Sequence, residues 1–310
     1  MKRKNKFLLI TLVSILTICI INKSISILST MKNKLYSYNA QYFQWRFGKI
    51  YYTKQGKGSP ILLVHNLNTL YSDTEWSQII KKLQSKHTVY TIDLLGCGRS
   101  DKPKLTYTSY LYVQLITDFI KNIIKEPTNV VTTGHSSSFI TMACYQNPEL
   151  FNKLLYINPE SIKTLNRCPR KRNQINKVLL ESPIIGTLLY NIIHSKFAIL
   201  KRFNKSFIKK TASKQKFLDI LHESSHLNID GSKYLFASIK NLYTNINMVN
   251  ALKQINNSIY IISTDSKVDV VDEYISINSS IETSNISNSG IYPHMELPNQ
   301  VQDVFDIYFN

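Results

Sequence analysis

Four short runs in this chain are built almost wholly from apolar and β-branched residues. They are Pro60-Ile61-Leu62-Leu63-Val64-His65, Val89-Tyr90-Thr91-Ile92-Asp93, Val130-Val131-Thr132-Thr133 and Leu154-Leu155-Tyr156-Ile157. Strands with one wet face alternate apolar and polar residues, whereas uninterrupted runs of this length fit strands buried on both faces. Helical patterns fall between them. Glu75 to Leu83 places Trp76, Ile79, Ile80 and Leu83 on one face, and Leu111 to Ile124 and Phe139 to Tyr145 also read as helices. Strands alternating with helices require a mostly parallel sheet with right-handed crossovers and flanking helices, an α/β fold.

The alternation has limits. A further strand fits residues 49–54, closed by Gly56-Lys57-Gly58, and strands resume at Ser258 to Ile262 and Ile281 to Ile286 before a last helix from about Gln300 to Phe309. From Glu160 to about Asn250 the pattern is helical, broken at Pro183 and Gly186, with no convincing strand. The expected organisation is an N-terminal segment over 1–30, a core from 31–160 and 251–310, and a helical cap over 161–250.

Charge follows the same division. Of the 38 Lys/Arg, 14 lie in residues 163–216 against one acid, Glu181, and Lys2, Arg3, Lys4 and Lys6 add four. That leaves 20 basic residues against 19 acids elsewhere, so the net +18 belongs to two places. Beside an apolar N-terminus, a basic cap fits a seat on anionic lipid or a solvated face; nucleic acid is not expected, because no binding module accompanies the charge. Residues 7–21 are apolar behind a basic start, a length that suits a signal core or a short anchor. No small-x-small site follows, which favours an uncleaved anchor over a cleaved signal. The basic residues ahead of it put the N-terminus inside and the domain on the extracytoplasmic side. Cys19, Cys97, Cys144 and Cys168 show no disulfide or metal spacing.

Gly134-His135-Ser136-Ser137-Ser138 follows a strand and precedes a helix, the setting of a nucleophile elbow with Ser136 at its apex. Three more motifs accompany it in order: Val64-His65-Asn66-Leu67, Asp93-Leu94-Leu95-Gly96-Cys97-Gly98-Arg99-Ser100-Asp101, and Gly290-Ile291-Tyr292-Pro293-His294-Met295-Glu296-Leu297-Pro298. Together they resemble the α/β-hydrolase superfamily over about residues 42–310. The resemblance implies an α/β-hydrolase fold with a helical cap and a serine hydrolase of esterase type. Such an enzyme would form an acyl-enzyme on Ser136 with a small or lipid-like ester, without metal or organic cofactor.

A serine hydroxyl needs an imidazole to take its proton, a carboxylate to orient that imidazole, and two backbone N–H groups for the oxyanion. The resemblance assigns the N–H groups to Leu67 and Ser137. The family's histidine position holds Ile291, and its acid position, after the strand at 259–262, holds Ser266. His294 is then the candidate base, or else a histidine that packs against the last helix. Asp265, Asp269 and Glu160 are the candidate acids. Asn66, where the family has glycine, is expected to tolerate a left-handed backbone; His65 is expected to stack under the turn, and Asp93, Arg99 and Asp101 to brace their loop. The alternative is a binding or scaffolding protein of the same fold that has lost the triad.

One signal comes from another class. His222-Glu223-Ser224-Ser225-His226 is a literal H-E-x-x-H, a zinc-peptidase motif when helical. The extended motif wants a glycine at 229 and a histidine at 232, where Ile229 and Ser232 stand, so a cap helix carrying two histidines is the better expectation.

Overall fold

The computed structural model describes residues 3–37, 40–208 and 214–309. Eight strands form one sheet: β1 (Gln41–Trp45), β2 (Gly48–Gln55), β3 (Ser59–Val64), β4 (His87–Ile92), β5 (Thr128–Thr133), β6 (Phe151–Ile157), β7 (Ile259–Thr264) and β8 (Glu282–Ile286). Their spatial order is β1-β2-β4-β3-β5-β6-β7-β8. β1 and β2 pair antiparallel, as do β2 and β4, and every later pair is parallel. This is the α/β-hydrolase arrangement. The uninterrupted apolar runs are its central strands: β5 is buried at every residue, and β3 at all but its first.

The helices are α1 (Arg3–Thr30), α2 (Ser77–Leu83), α3 (Ser109–Phe119), α4 (Ser136–Gln146), α5 (Ile162–Leu165), α6 (Lys171–Glu181), α7 (Ile185–Ile193), α8 (Lys196–Ser206), α9 (Lys214–His226), α10 (Ile229–Lys240), α11 (Val249–Gln254), α12 (Val268–Ile275), α13 (Pro293–Glu296) and α14 (Pro298–Phe309). One face of the sheet is sealed by residues of α3, α4, α11 and α12, including Leu115, Phe119, Phe139, Leu252 and Tyr274. The other is sealed by α2 and α14, with Trp76, Ile79, Leu83, Val301 and Phe305. Helices α5–α11 fill the interval between β6 and β7.

Two elements differ from expectation. β1 was not foreseen, because this edge strand buries only Trp45 fully and has no apolar period to betray it. α1 is longer than its apolar run: the helix continues through Asn22, Lys23 and Ser24 to Thr30. From Asn5 to Thr30 it is long and apolar enough to cross a membrane, a test that a signal sequence also passes.

Candidate functional site

Backbone geometry decides what the elbow can present. The strand-to-helix turn after β5 has its left-handed residue at Gly134, φ 52°. His135 is already helical at φ −62°, ψ −28°, and Ser136 is the first residue of α4. The apex position expected for Ser136 is therefore held by Gly134, two residues earlier. A Cβ built on Gly134 would lie 2.7 Å from Asn66 Oδ1 and 2.8 Å from its Nδ2. The space an apex side chain would enter is filled by the Asn66 carboxamide.

Asn66 is held there on three sides. Its Oδ1 accepts the His135 N–H at 3.1 Å, its Nδ2 donates to Tyr292 Oη at 3.4 Å, and its own N–H donates to Glu75 Oε2 at 3.1 Å. Its backbone is not left-handed, so the side chain, and not tolerance of positive φ, is what the residue contributes here. His65 beside it is fully buried, accepts the Leu94 N–H on Nε2 (3.1 Å) and donates from Nδ1 to the Asn66 carbonyl (2.8 Å). Burial lowers its pKa, and both ring nitrogens are occupied in holding the turn.

The serines after Gly134 turn their hydroxyls to backbone carbonyls. Ser136 Oγ donates to the His65 carbonyl at 2.7 Å, Ser137 Oγ to Gly134 at 2.8 Å and Ser138 Oγ to His135 at 2.8 Å. None of the seven imidazoles hydrogen-bonds Ser136 Oγ. Of the oxyanion candidates, the buried Leu67 N–H meets no acceptor among the described residues, and the Ser137 N–H makes a long bond to the Gly134 carbonyl (3.4 Å).

His294 lies on α13, fully buried, with its ring on Trp76 at 4.8 Å between centroids. Its Nε2 is 3.2 Å from Glu75 Oε1, a close polar contact that is not aligned as a hydrogen bond. Glu75 in turn accepts Thr133 Oγ1 at 2.6 Å on that oxygen. One buried carboxylate thus ties the turn after β3, the end of β5 and α13 together directly beneath the elbow. No local pattern announces this. Glu75 reads as the start of an amphipathic helix, and its partners come from three distant segments.

The acid candidates face elsewhere. Asp265 is exposed and binds the end of β8 and the loop after it, accepting Asn285 Nδ2 (2.7 Å), Ser287 Oγ and the Asn288 N–H; the Asn285 bond leads the lowering of its pKa. Asp269 stands in the first turn of α12. Glu160 donates its backbone N–H to the Gly134 carbonyl (3.2 Å), while its carboxylate accepts the adjacent Ser161 N–H. Ser266 meets Thr264 Oγ1 at 3.4 Å. Ile291, in the histidine position, packs with the apolar cluster around Tyr292 and Phe203, and its carbonyl accepts Asn158 Nδ2 at 2.8 Å. Asp93 braces its loop by accepting the Arg99 N–H and Nε, each at 2.8 Å, while Arg99 also pairs with Asp73 and Asp101 accepts the Lys49 N–H at 2.7 Å.

A cleft of ≈ 300 Å³ opens between the turn after β3, α8 and Tyr292. Asn68, Tyr71, Arg202, Phe203, Lys205 and Tyr292 are among its walls, which combine an apolar body with two cations. Tyr292 reaches from this cleft to Asn66, and burial raises its phenol pKa.

The H-E-x-x-H stretch lies on α9. His222 and His226 are 4.2 Å apart between ring centroids, and the second directs Nδ1 at the carbonyl of the first (2.7 Å). Glu223 accepts the backbone N–H groups of Lys34 and Leu35 at 3.0 and 3.2 Å, so it anchors the chain leaving α1. Among the described residues no three His, Cys, Asp or Glu side chains converge as a metal site.

A model of the alpha/beta hydrolase family matches residues 61–282. An uncharacterized protein of Mycobacterium tuberculosis is 30% identical over 103 residues, which covers 33% of this chain and 30% of that protein. The chain thus matches about a third of that curated relative's length. Among solved structures, a serine hydrolase involved in carbazole degradation superposes with a TM-score of 0.71 at 14% identity, covering 88% of this chain and 99% of that one. A membrane phospholipase A superposes at 0.70 with 15% identity, covering 100% and 98%. The family and these two structural neighbours are hydrolases.

Proposed function

This chain belongs to the alpha/beta hydrolase family, and from that premise we propose that it is a membrane-tethered member that binds a small amphiphile under its cap without forming an acyl-enzyme on Ser136. The observation that carries this is the elbow: Gly134 takes the left-handed position, and Asn66 fills the space in front of it. Acyl transfer needs a nucleophile within hydrogen-bond reach of a base. Here Ser136 bonds to the His65 carbonyl, and His294 sits against Glu75. The cleft fits a ligand with an apolar body and an anionic end, since Arg202 and Lys205 share it with Tyr71 and Phe203. Titration of the full chain with decanoate tests this. Saturable binding is expected, weakened about five-fold by Lys205→Met, the worth of one half-screened charge contact. Failure of decanoate to bind, or equal binding of decanol, would remove the proposed ligand class.

Tethering is assigned to α1, with its basic N-terminus inside and the domain on the extracytoplasmic side. External protease that spares the domain in intact cells contradicts that orientation.

The second reading is a serine hydrolase acting on an ester through Ser136, with His294 as base and Asp265 or Glu160 as acid. The hydrolase character of family and neighbours supports it, and so does the Leu67 N–H left without an acceptor at the turn. It requires Ser136 to leave the His65 carbonyl and His294 to leave Glu75. Its signature is fluorophosphonate labelling of Ser136 that His294→Ala abolishes.

A further inference from the structure

The cap carries apolar side chains that no other part of the described chain covers. On α6, Ile175, Val178 and Leu179 are 71%, 69% and 46% exposed at helical spacing; on α7, Ile185 and Ile192 are 55% and 58% exposed; Phe197 at the start of α8 is 78% exposed. Single exposed apolar residues are ordinary on soluble proteins, but six on three consecutive helices, at helical spacing on α6 and two turns apart on α7, point to a surface made for an apolar partner.

Three observations point to what that partner is. Residues 163–208 hold ten Lys/Arg and one acid, Glu181, which Lys177 neutralises at 2.7 Å. A second copy of the cap would meet like charge, whereas anionic headgroups would meet opposite charge. The middle helix of the three, α7, is docked on α1: Asn22 Nδ2 donates to the Ile184 carbonyl (3.3 Å), and Asn191 Nδ2 donates to Asn22 Oδ1 (2.9 Å). The chain leaving α1 is then fixed to α9, where Lys34 pairs with Asp219 and Glu223 accepts two backbone N–H groups. The exposed apolar half of α1 and the cap stripe thus belong to one docked unit.

We infer that α6, α7 and α8 lie in the headgroup–acyl boundary of the bilayer, with Ile175, Val178, Ile185, Ile192 and Phe197 inserted and Lys171, Arg172 and Lys201 at the headgroups. This rests on reading α1 as a membrane segment. The cap is a second, in-plane attachment, which fits the pattern of apolar face and Lys/Arg flanks that holds helices at an interface. It keeps the cleft beneath α8 close to the lipid surface, so an amphiphile would enter from the bilayer.

The test uses the full chain in vesicles of phosphatidylcholine and phosphatidylglycerol in equal parts. A nitrobenzoxadiazole label is placed at Ile175→Cys or Phe197→Cys, with Cys19 and Cys168 replaced by serine. Ile307→Cys on α14, 81% exposed and remote from the cap in sequence, is the control. Native Cys19, labelled in a Cys168→Ser chain, reports on α1. Blue-shifted emission at 175 and 197, with loss of most of it to nitroxide-bearing lipid and little loss at 307, is expected. If Cys19 is quenched while 175 and 197 behave like 307, the in-plane cap is overturned and the α1 reading stands. If Cys19 is not quenched either, both fall. A blue shift at 175 and 197 that lipid nitroxide leaves intact means a protein covers the stripe, and also overturns the inference.

Discussion

At the scale of single residues, the site turns on two small groups. Gly134 has φ 52° and no room for a side chain, because Asn66 stands where its Cβ would go. Gly134→Ala is therefore expected to lower stability by about 1–3 kcal/mol, from a strained backbone and a displaced carboxamide. In Asn66→Gly the obstruction is gone, so adding Gly134→Ala to it should cost less than in the parent, a coupling that urea unfolding of the four chains measures. Strict additivity would mean that the two groups do not compete for one space. The serine, the strand and the helix around the turn were legible in the sequence; its register was not. Gly-His-Ser reads as an elbow with serine at its apex, yet which residue goes left-handed depends on contacts from Asn66 and Ile157 that lie far away in the chain. Glu75 was illegible for the same reason, since its partners stand at positions 66, 133 and 294.

At the scale of elements, strands buried on both faces announced themselves by continuous apolar runs, and exposed β1 did not. Motif loops were legible only in part: Asp93 and Arg99 bond one another locally and Asp101 reaches one neighbouring strand at Lys49, but the contacts of Arg99 with Asp73 and the Leu35 carbonyl come from distant segments. The cap helices were visible as helices, but their buried polar contacts were not. His194 shares a hydrogen bond with Thr69 Oγ1 at 3.0 Å and stacks on Tyr190, and His222 packs at a tilt against His226. Burial pushes His194 and His222 down to about 3, and lowers His65, His87, His135 and His226. An unfolded imidazole titrates near 6.5 and takes up a proton that these folded ones refuse, so their contribution is complete above that pH and is lost as pH falls toward 3. Asp73, raised to about 6 by burial and then by Asp93, acts in the opposite sense between its two pKa values, but is one group against six. The urea midpoint of the full chain in detergent should fall between about pH 6.5 and about pH 5. A midpoint that stays level across that window would show that the imidazoles are not held neutral.

At the scale of the whole molecule, the proposed membrane attachment draws on hydropathy at α1 and on charge in the cap. The apolar helix α1 is about 39 Å long from Asn5 to Thr30, but from Asn22 onward it packs on the cap, which leaves about 26 Å, Asn5 to Ile21, to enter a hydrocarbon core of about 30 Å. It is also built into the domain through Asn22, and the chain leaving it through Lys34 and Leu35, contacts that a cleaved leader would forfeit. The full chain should accordingly remain in the membrane pellet after an alkaline carbonate wash, and release into the supernatant would contradict a spanning anchor. The sequence showed the apolar run and the basic cap separately; their docking onto one another is a tertiary fact that no local pattern encodes. The fold itself was legible because four motifs stood in one order along a parallel sheet. What that order left open was whether the site still acylates. Treatment of the full chain with a fluorophosphonate, read by intact mass and by mapping of the Ser136 peptide, tests this most directly. No adduct on folded protein is the expected result, and a stoichiometric adduct on Ser136 would contradict it.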